Sequence, residues 1–356
     1  VSAERAAARL REFADGDAAA VSPLYQLLAG RAAEDAEVAG LLGDRDPELL
    51  FAAAHRLVQA DPIHPLSAYY ATLGGASGPD DGTWPLWRQF VLERADRVRE
   101  LVANRSLRTD DVRKAALLYP AVALAAKQAR GPVALLTVGS CAGFLLLMDK
   151  FGYRYQTGAA GQFVAGPAKT PLGLHCVLGG DPPALPKKLA VKAKVGLDRA
   201  PVDADDPDEF AWLEACVWAD QPERVRWLGV AATMLAKEAP ELVAGDPVDG
   251  LAEAAGRLPE ELPLVVVNSG LRLGERAGDY VAALGKLAAG RPLWWASDEP
   301  YDSALHVLMP GRDDLPGEPG EGVLGLVRWS DGHPQAQALA RTGRHGQRLE
   351  WLPPTG

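Results

Sequence analysis

The sequence predicts an α/β protein: a doubly wound, mostly parallel sheet that ends in an antiparallel hairpin and is preceded by a helical region. Three observations predict it. Residues 1–130 carry apolar positions at helical spacing and are rich in Ala, Leu and Arg. From Val133 onward short apolar runs alternate with helical stretches, the order expected of a parallel sheet. The tail, Gly322–Trp329, a turn over Ser330–Pro334, then Ala338–Trp351, has the pattern of an antiparallel pair. The expected division is therefore a helical cap and substrate region at 1–130 and a ligand-binding sheet domain at 131–356. An irregular, hairpin-bearing excursion interrupts the second domain at 152–189.

The helical region divides at its breakers. Helices are expected over Ala3–Phe13, Pro23–Leu28, Ala32–Leu42, Pro47–Gln59, Trp84–Asn104 and Asp111–Ala129. Breaks fall at Gly16, Gly43-Asp44, Asp61-Pro62 and the loop Gly74–Gly82. His55, His64, Tyr69, Tyr70, Trp84 and Trp87 read as core residues here, not as ligand contacts.

The next element organises the rest. Val133–Val138 is an apolar run opened by Gly131-Pro132 and closed by Gly139-Ser140-Cys141-Ala142-Gly143. The apolar, helix-length Phe144–Lys150 follows. Strand, small-residue turn, helix is the expected order, and such a turn lets a ligand approach the backbone. The dinucleotide fingerprint G-x-G-x-x-G is not met, because Cys141 stands between Gly139 and Gly143. The first motif of S-adenosylmethionine (SAM) methyltransferases, acidic-x-G-x-G-x-G, fits better, with Thr137 in place of the acid and Cys141 in place of the middle glycine.

After the excursion, Val195–Asp198 is a short strand ending in a carboxylate, the position that accepts ribose hydroxyls in Rossmann-like folds. An acidic run, Asp203 to Glu209, starts a helix over Asp208–Val217, and Pro222 starts another to Lys237. Leu242–Ala244 is a third strand, closed by Gly245-Asp246-Pro247, and an acid there suits an adenine amine. Leu264–Val267 is a continuous buried run ending in Asn268-Ser269-Gly270. Helix Gly278–Ala289 precedes strand Pro292–Ala296, which closes with Ser297-Asp298-Glu299-Pro300.

Composition excludes several partners. A net charge of −10 without a basic run argues against nucleic acid or an anionic membrane. No apolar run reaches the roughly 18 residues of a membrane span, and the charged N-terminus does not resemble a signal peptide. Cys141, Cys176 and Cys216 are odd in number and widely spaced, which suits a reducing, cytoplasmic compartment. None lies at metal-ligand spacing, so no metal site is expected.

Four blocks carry a family resemblance: Val138–Gly143, Gly196–Asp203, Val217–Arg224 and Gly245–Gly250. They resemble a bacterial family known as domain of unknown function 2332 and regarded as similar to Rossmann-like SAM-dependent methyltransferases. The resemblance spans nearly the whole chain. Departures are Thr137 for the usual acid, Thr109-Asp110-Asp111-Val112-Arg113-Lys114 for Thr-Asn-Glu-Val-Gly-Arg, and Asn268-Ser269 for His-Ser.

The resemblance implies a SAM-dependent methyltransferase acting on a small molecule, with a homodimer as the assembly to test. Gly139, Ser140, Cys141, Gly143, Asp198, Arg199, Asp246, Lys114 and Asn268 would hold the cofactor. Lys114 would meet its carboxylate, and Asp110 or Asp111 its ammonium. Asn268 and Asp298 are the expected catalytic residues, and Ser269, Glu299 and Tyr301 further lining groups. The substrate is expected between the helical region and the carboxyl ends of the strands. Competing readings are a non-catalytic binding protein on the same fold, other SAM chemistry, and an NAD(P)-dependent oxidoreductase.

Overall fold

The structure is a computed structural model. It describes residues 3–108, 111–158, 161–271, 273–317, 320–330, 332–343 and 346–353. The chain forms two compact units, Val1–Thr109 with Asp203–Gly229, and Asp110–Val202 with Val230–Gly356. This boundary differs from the expected one in two places. The helix before the first strand belongs to the sheet unit, and residues 203–229 belong to the helical unit.

The first unit opens with α1 (Ala3–Phe13), α2 (Ala19–Val21), α3 (Pro23–Ala33), α4 (Ala36–Leu42), α5 (Pro47–Gln59), α6 (Thr83–Glu93) and α7 (Ala95–Asn104). Side-chain caps explain where three of these start. Ser22 accepts from the Tyr25 N–H, Asp35 from those of Glu37 and Val38, and Asp46 from that of Glu48. Pro23 and Pro47 follow their caps directly, with φ already suited to a helix. The core is aromatic: Phe13 stacks on Phe51 at 5.7 Å, and Trp218 meets Phe13 edge-on at 5.6 Å.

His55 is fully buried there. Its Nδ1 lies 3.1 Å from the carbonyls of Ala215 and Val217, and Nε2 lies 2.8 Å from the Thr72 hydroxyl. Burial pushes its pKa down to about 4, so the neutral ring ties α5 to the end of the later helix α9 (Pro207–Ala215). It is a core histidine, as the sequence suggests.

The second unit begins with α8 (Lys114–Ala129) and β1 (Val133–Val138). Phe144–Lys150 does not continue as the expected helix. Only Phe144–Leu147 coils, as a 3₁₀ turn entered from Gly143 at φ +89°. The eight residues between Gly143 and Gly152 are too few to nucleate a stable helix, and the chain passes straight into β2 (Gly152–Thr157).

The excursion then builds β3 (Gln162–Ala165) and β4 (Gly173–Gly179), after which β5 (Val191–Asp198) returns beside β1. The β1-to-β5 crossover is thus made of strands, not of a helix. The chain passes through α9 and α10 (Pro222–Glu238). It continues as β6 (Glu241–Ala244), α11 (Leu251–Gly256), β7 (Leu264–Ser269), α12 (Ala277–Ala288), β8 (Leu293–Glu299) and α13 (Leu305–Leu308). The tail is β9 (Gly322–Ser330), β10 (His333–Thr342) and β11 (Arg348–Trp351).

All eleven strands form one sheet, in the order β3-β2-β4-β11-β10-β9-β8-β7-β1-β5-β6. Strands β6, β5, β1, β7 and β8 are mutually parallel, and β9 and β10 follow as the expected antiparallel hairpin. The excursion joins the far edge, where β4 pairs in parallel with β11. Alternation assigns the two faces. Trp295 packs with Tyr280 of α12 in the core that also holds Ala134, Leu136 and Val138. Its neighbour Trp294 points the other way and donates to Gln128 of α8. Sequence order reverses between β1 and β7, so the carboxyl ends of these strands form the crevice where open α/β sheets hold ligands.

Candidate functional site at the carboxyl ends of the strands

Two groups of side chains lie at this end of the sheet unit. The first surrounds the turn after β1. Gly139, Cys141 and Gly143 all have positive φ, +72°, +50° and +89°. Cys141 therefore adopts the left-handed conformation that glycine would take at the motif's middle position, at a cost an L residue tolerates only when its surroundings enforce it. Asp198 supplies the enforcement. Its Oδ2 accepts the Cys141 N–H at 2.8 Å and its Oδ1 accepts the Ala200 N–H at 2.9 Å. The β5 carboxylate stands where the sequence predicts, and its partners include backbone N–H groups of the turn and of its own loop.

The turn is packed from within. The Gly139 and Ser140 N–H groups donate to the Leu197 carbonyl, and the Gly143 N–H to the Ser140 carbonyl. With the Cys141 N–H on Asp198, four of the turn's donors are spent inside the protein, so the turn does not present the open N–H cradle expected of it. Thr137, in the acid's position, shares a 2.7 Å hydroxyl bond with buried Ser140. A Cβ on Gly196 would sit 2.4 Å from Ser140 Oγ and 2.5 Å from Leu242, so this glycine lets β5 approach the turn. A Cβ on Gly143 would meet Leu242 at 3.0 Å. Arg199 and Asp246 form an ion pair with each other at 3.0 Å, and Arg276 closes the other side of Asp246 at 2.8 Å. Burial opposes ionisation of Asp246, but the Val248 N–H and Arg199 hold its carboxyl below the usual range.

The second group lies at β7 and β8. Asn268 is buried, accepts from the Trp295 indole N–H and donates to Glu299 Oε1 at 2.8 Å. Oε1 also accepts the Leu271 N–H at 2.6 Å. Both amide ends of Asn268, expected as a catalytic group, are thus engaged by Trp295 and Glu299. On the α8 face Asp298 accepts from Thr342 at 2.7 Å and from Ser269 at 3.1 Å. Glu299 is 5% exposed, and burial raises its pKa to about 7 despite the opposing pull of Lys114 and its two donors.

A cavity of about 190 Å³ opens here, lined by Lys114, Asp298, Glu299, Glu321, Thr342 and bare glycine backbone. All of its lining belongs to the sheet unit. Lys114, the first residue of α8, reaches over Gly270, where a Cβ would lie 3.5 Å from Nζ. The next residue, Leu271, lies 3.4 Å from the Cβ position of Gly139, so the two groups are neighbours.

Asp111 Oδ1 accepts the Arg113 N–H at 3.1 Å at the entry to α8. Asp110 lies outside the described residues. Tyr301 donates to the Met309 carbonyl and clasps its own loop instead of lining the cavity.

The burial and raised pKa of Glu299, the Trp295–Asn268 support and the Thr342 contact are not evident from sequence. The available signal was the adjacent pair Asp298-Glu299 directly after a buried strand. No group of three or more metal-ligating side chains occurs among the described residues. Cys176 and Cys216 are buried thiols pushed up to about 12 by desolvation, hence unreactive. No helix among the described residues is long and apolar enough to cross a membrane.

A family model described as an uncharacterized protein conserved in bacteria (DUF2332) matches residues 7–351. No curated protein matches the chain.

Proposed function

The chain belongs to this bacterial family, and on that premise we propose that it is a SAM-dependent transferase, a methyltransferase acting on a small molecule. The observation that carries the reading is the pairing of two features at one crevice. A carboxylate ends β5 beside a backbone-lined turn, and a buried acid of pKa about 7 ends β8 next to it.

The turn's chemistry favours SAM over a dinucleotide. A pyrophosphate needs several free backbone N–H donors, and four of those in this turn are engaged internally. SAM has no phosphate. Its ribose needs an acceptor, and the Asp198 carboxylate stands at the tip of β5 beside the turn. Asp198 and the Gly139–Gly143 backbone would hold the nucleoside. When bound, SAM supplies an electrophilic carbon attached to a sulfonium.

The protein's share is positioning and proton handling. Asn268 and the Leu271 N–H fix Glu299, whose Oε1 takes both bonds. A carboxyl titrating near 7 accepts a proton from a substrate group at neutral pH far better than one near 4.5. Lys114 was expected at the cofactor's carboxylate, but it lines the cavity of Asp298 and Glu299, and we assign it to the substrate.

A non-catalytic binding protein is the second reading. It is favoured by Thr137, whose hydroxyl is turned into the core where the related motif has an acid. Titration calorimetry with SAM and S-adenosylhomocysteine tests the proposal. Binding of both, weakened about tenfold or more by Asp198→Asn, is the expected result. Absence of binding at millimolar ligand would overturn it.

A further inference from the structure

We infer that the cavity at the ends of β7 and β8 is a substrate site for an amino acid headgroup, with its carboxylate on Lys114 and its ammonium on Glu299 and Asp298. The inference rests on the proposed function only in naming this ligand the substrate.

Two groups in the cavity lack partners. Lys114 is half-buried, and its ammonium makes no hydrogen bond or ion pair among the described residues, although it is near enough to Glu299 to act on its charge. Glu299 uses Oε1 for both of its hydrogen bonds, leaving Oε2 without one in a side chain that is 95% buried by its 5% exposure. A cation and an acid line one cavity without meeting within ion-pair distance. A ligand carrying both charges satisfies each of them, whereas a singly charged ligand leaves the other group desolvated and unpaired. Asp298 adds a second carboxylate, bonded only to hydroxyl donors, so the acidic side of the cavity suits an ammonium.

Size and shape agree. A cavity of about 150 Å³ holds benzene, so the 190 Å³ here accommodates roughly six to eight heavy atoms, as in a small amino acid. Glycine keeps the corners open. On Gly322 a Cβ would lie 2.7 Å from Thr342 Oγ1 and 3.2 Å from Asp298 Oδ1, filling the space beside the carboxylate.

The test is calorimetric titration of the full chain with three probes: L-alanine, and ethylammonium and propionate, which each lack one of its two charged groups. L-alanine should bind about tenfold or more tightly than either singly charged probe. Lys114→Met should bring L-alanine to the ethylammonium level and leave ethylammonium itself unchanged. Glu299→Gln, which keeps an oxygen for Leu271 and Asn268, should weaken L-alanine and ethylammonium but not propionate. Far-UV circular dichroism of both variants should match the wild type.

No binding of L-alanine up to tens of millimolar, equal binding of a singly charged probe, or an unchanged L-alanine affinity in Lys114→Met would each overturn the assignment. SAM titration in parallel separates the two claims. SAM binding without L-alanine binding sinks the headgroup site alone, and L-alanine binding without SAM binding sinks the transferase reading alone.

Discussion

Replacing Glu299 by Gln removes a buried charge and keeps the acceptor that serves Leu271 and Asn268. The carboxyl's pKa is raised from 4.5 to about 7, chiefly by burial. A raised pKa means the folded state favours the protonated form. The group's contribution is therefore intact below pH 4.5 and is lost as pH rises through 7. Integrating the linkage between these two values gives a penalty of under about 1 kcal/mol at pH 5 and about 3 kcal/mol at pH 8. Glu299→Gln escapes it, so its stability relative to wild type should improve by about 2–3 kcal/mol between the two pH values. Guanidinium denaturation at pH 5 and pH 8, with native-state hydrogen exchange of β7 and β8 amides to localise the effect, reads this difference. A change below about 1 kcal/mol would show that the carboxyl is not strained by burial, and the case for it as a neutral-pH base would fall.

Three further outcomes follow from named contacts. His55 has its pKa lowered from 6.5 to about 4, so its contribution is present above 6.5 and lost as pH falls through 4. The helical unit should lose about 3 kcal/mol between pH 7 and pH 4 from this ring, and His55→Gln should remove that slope in exchange measurements on α5. Gly196→Ala places a methyl 2.4 Å from Ser140 Oγ and should cost about 1–3 kcal/mol in denaturation; a neutral variant would contradict the close approach of β5 to the turn. Asp198→Ala strips the acceptor from Cys141 and should cost about 1–3 kcal/mol without any ligand. Asp198→Asn, which keeps only one of the two acceptor oxygens, should recover part of that loss, and equal stability of all three proteins would mean the turn holds itself.

Much of the sheet was legible because its strands are continuous apolar runs between glycines and prolines. Val133–Val138, Leu264–Ser269 and Leu293–Glu299 stand close to where the sequence places them. Phe144–Lys150 misled, since an all-apolar run carries no period to separate a helix from a buried turn. The excursion at 152–189 was legible as irregular, but not as a second sheet edge, because pairing of β4 with β11 joins residues far apart in the chain. Nor can local composition reveal that residues 203–229 return to the helical unit. At the site, Asp198 was readable from its place at a strand tip. The two buried partners of Asn268, Trp295 and Glu299, become visible only when β7 and β8 are side by side. Arg199 and Asp246, each assigned to a cofactor, neutralise each other instead.

The measurement that bears most directly on the central claim follows the methyl group itself. The full chain is incubated with SAM labelled with carbon-13 at the methyl and with a mixture of amino acids and small-molecule extracts, and products are read by mass spectrometry. The account predicts a labelled product that carries an amino acid headgroup, formed by the wild type and lost in Glu299→Gln while that variant still binds SAM. A protein that binds SAM yet labels nothing, or a Glu299→Gln variant that labels as fast as the wild type, would contradict it.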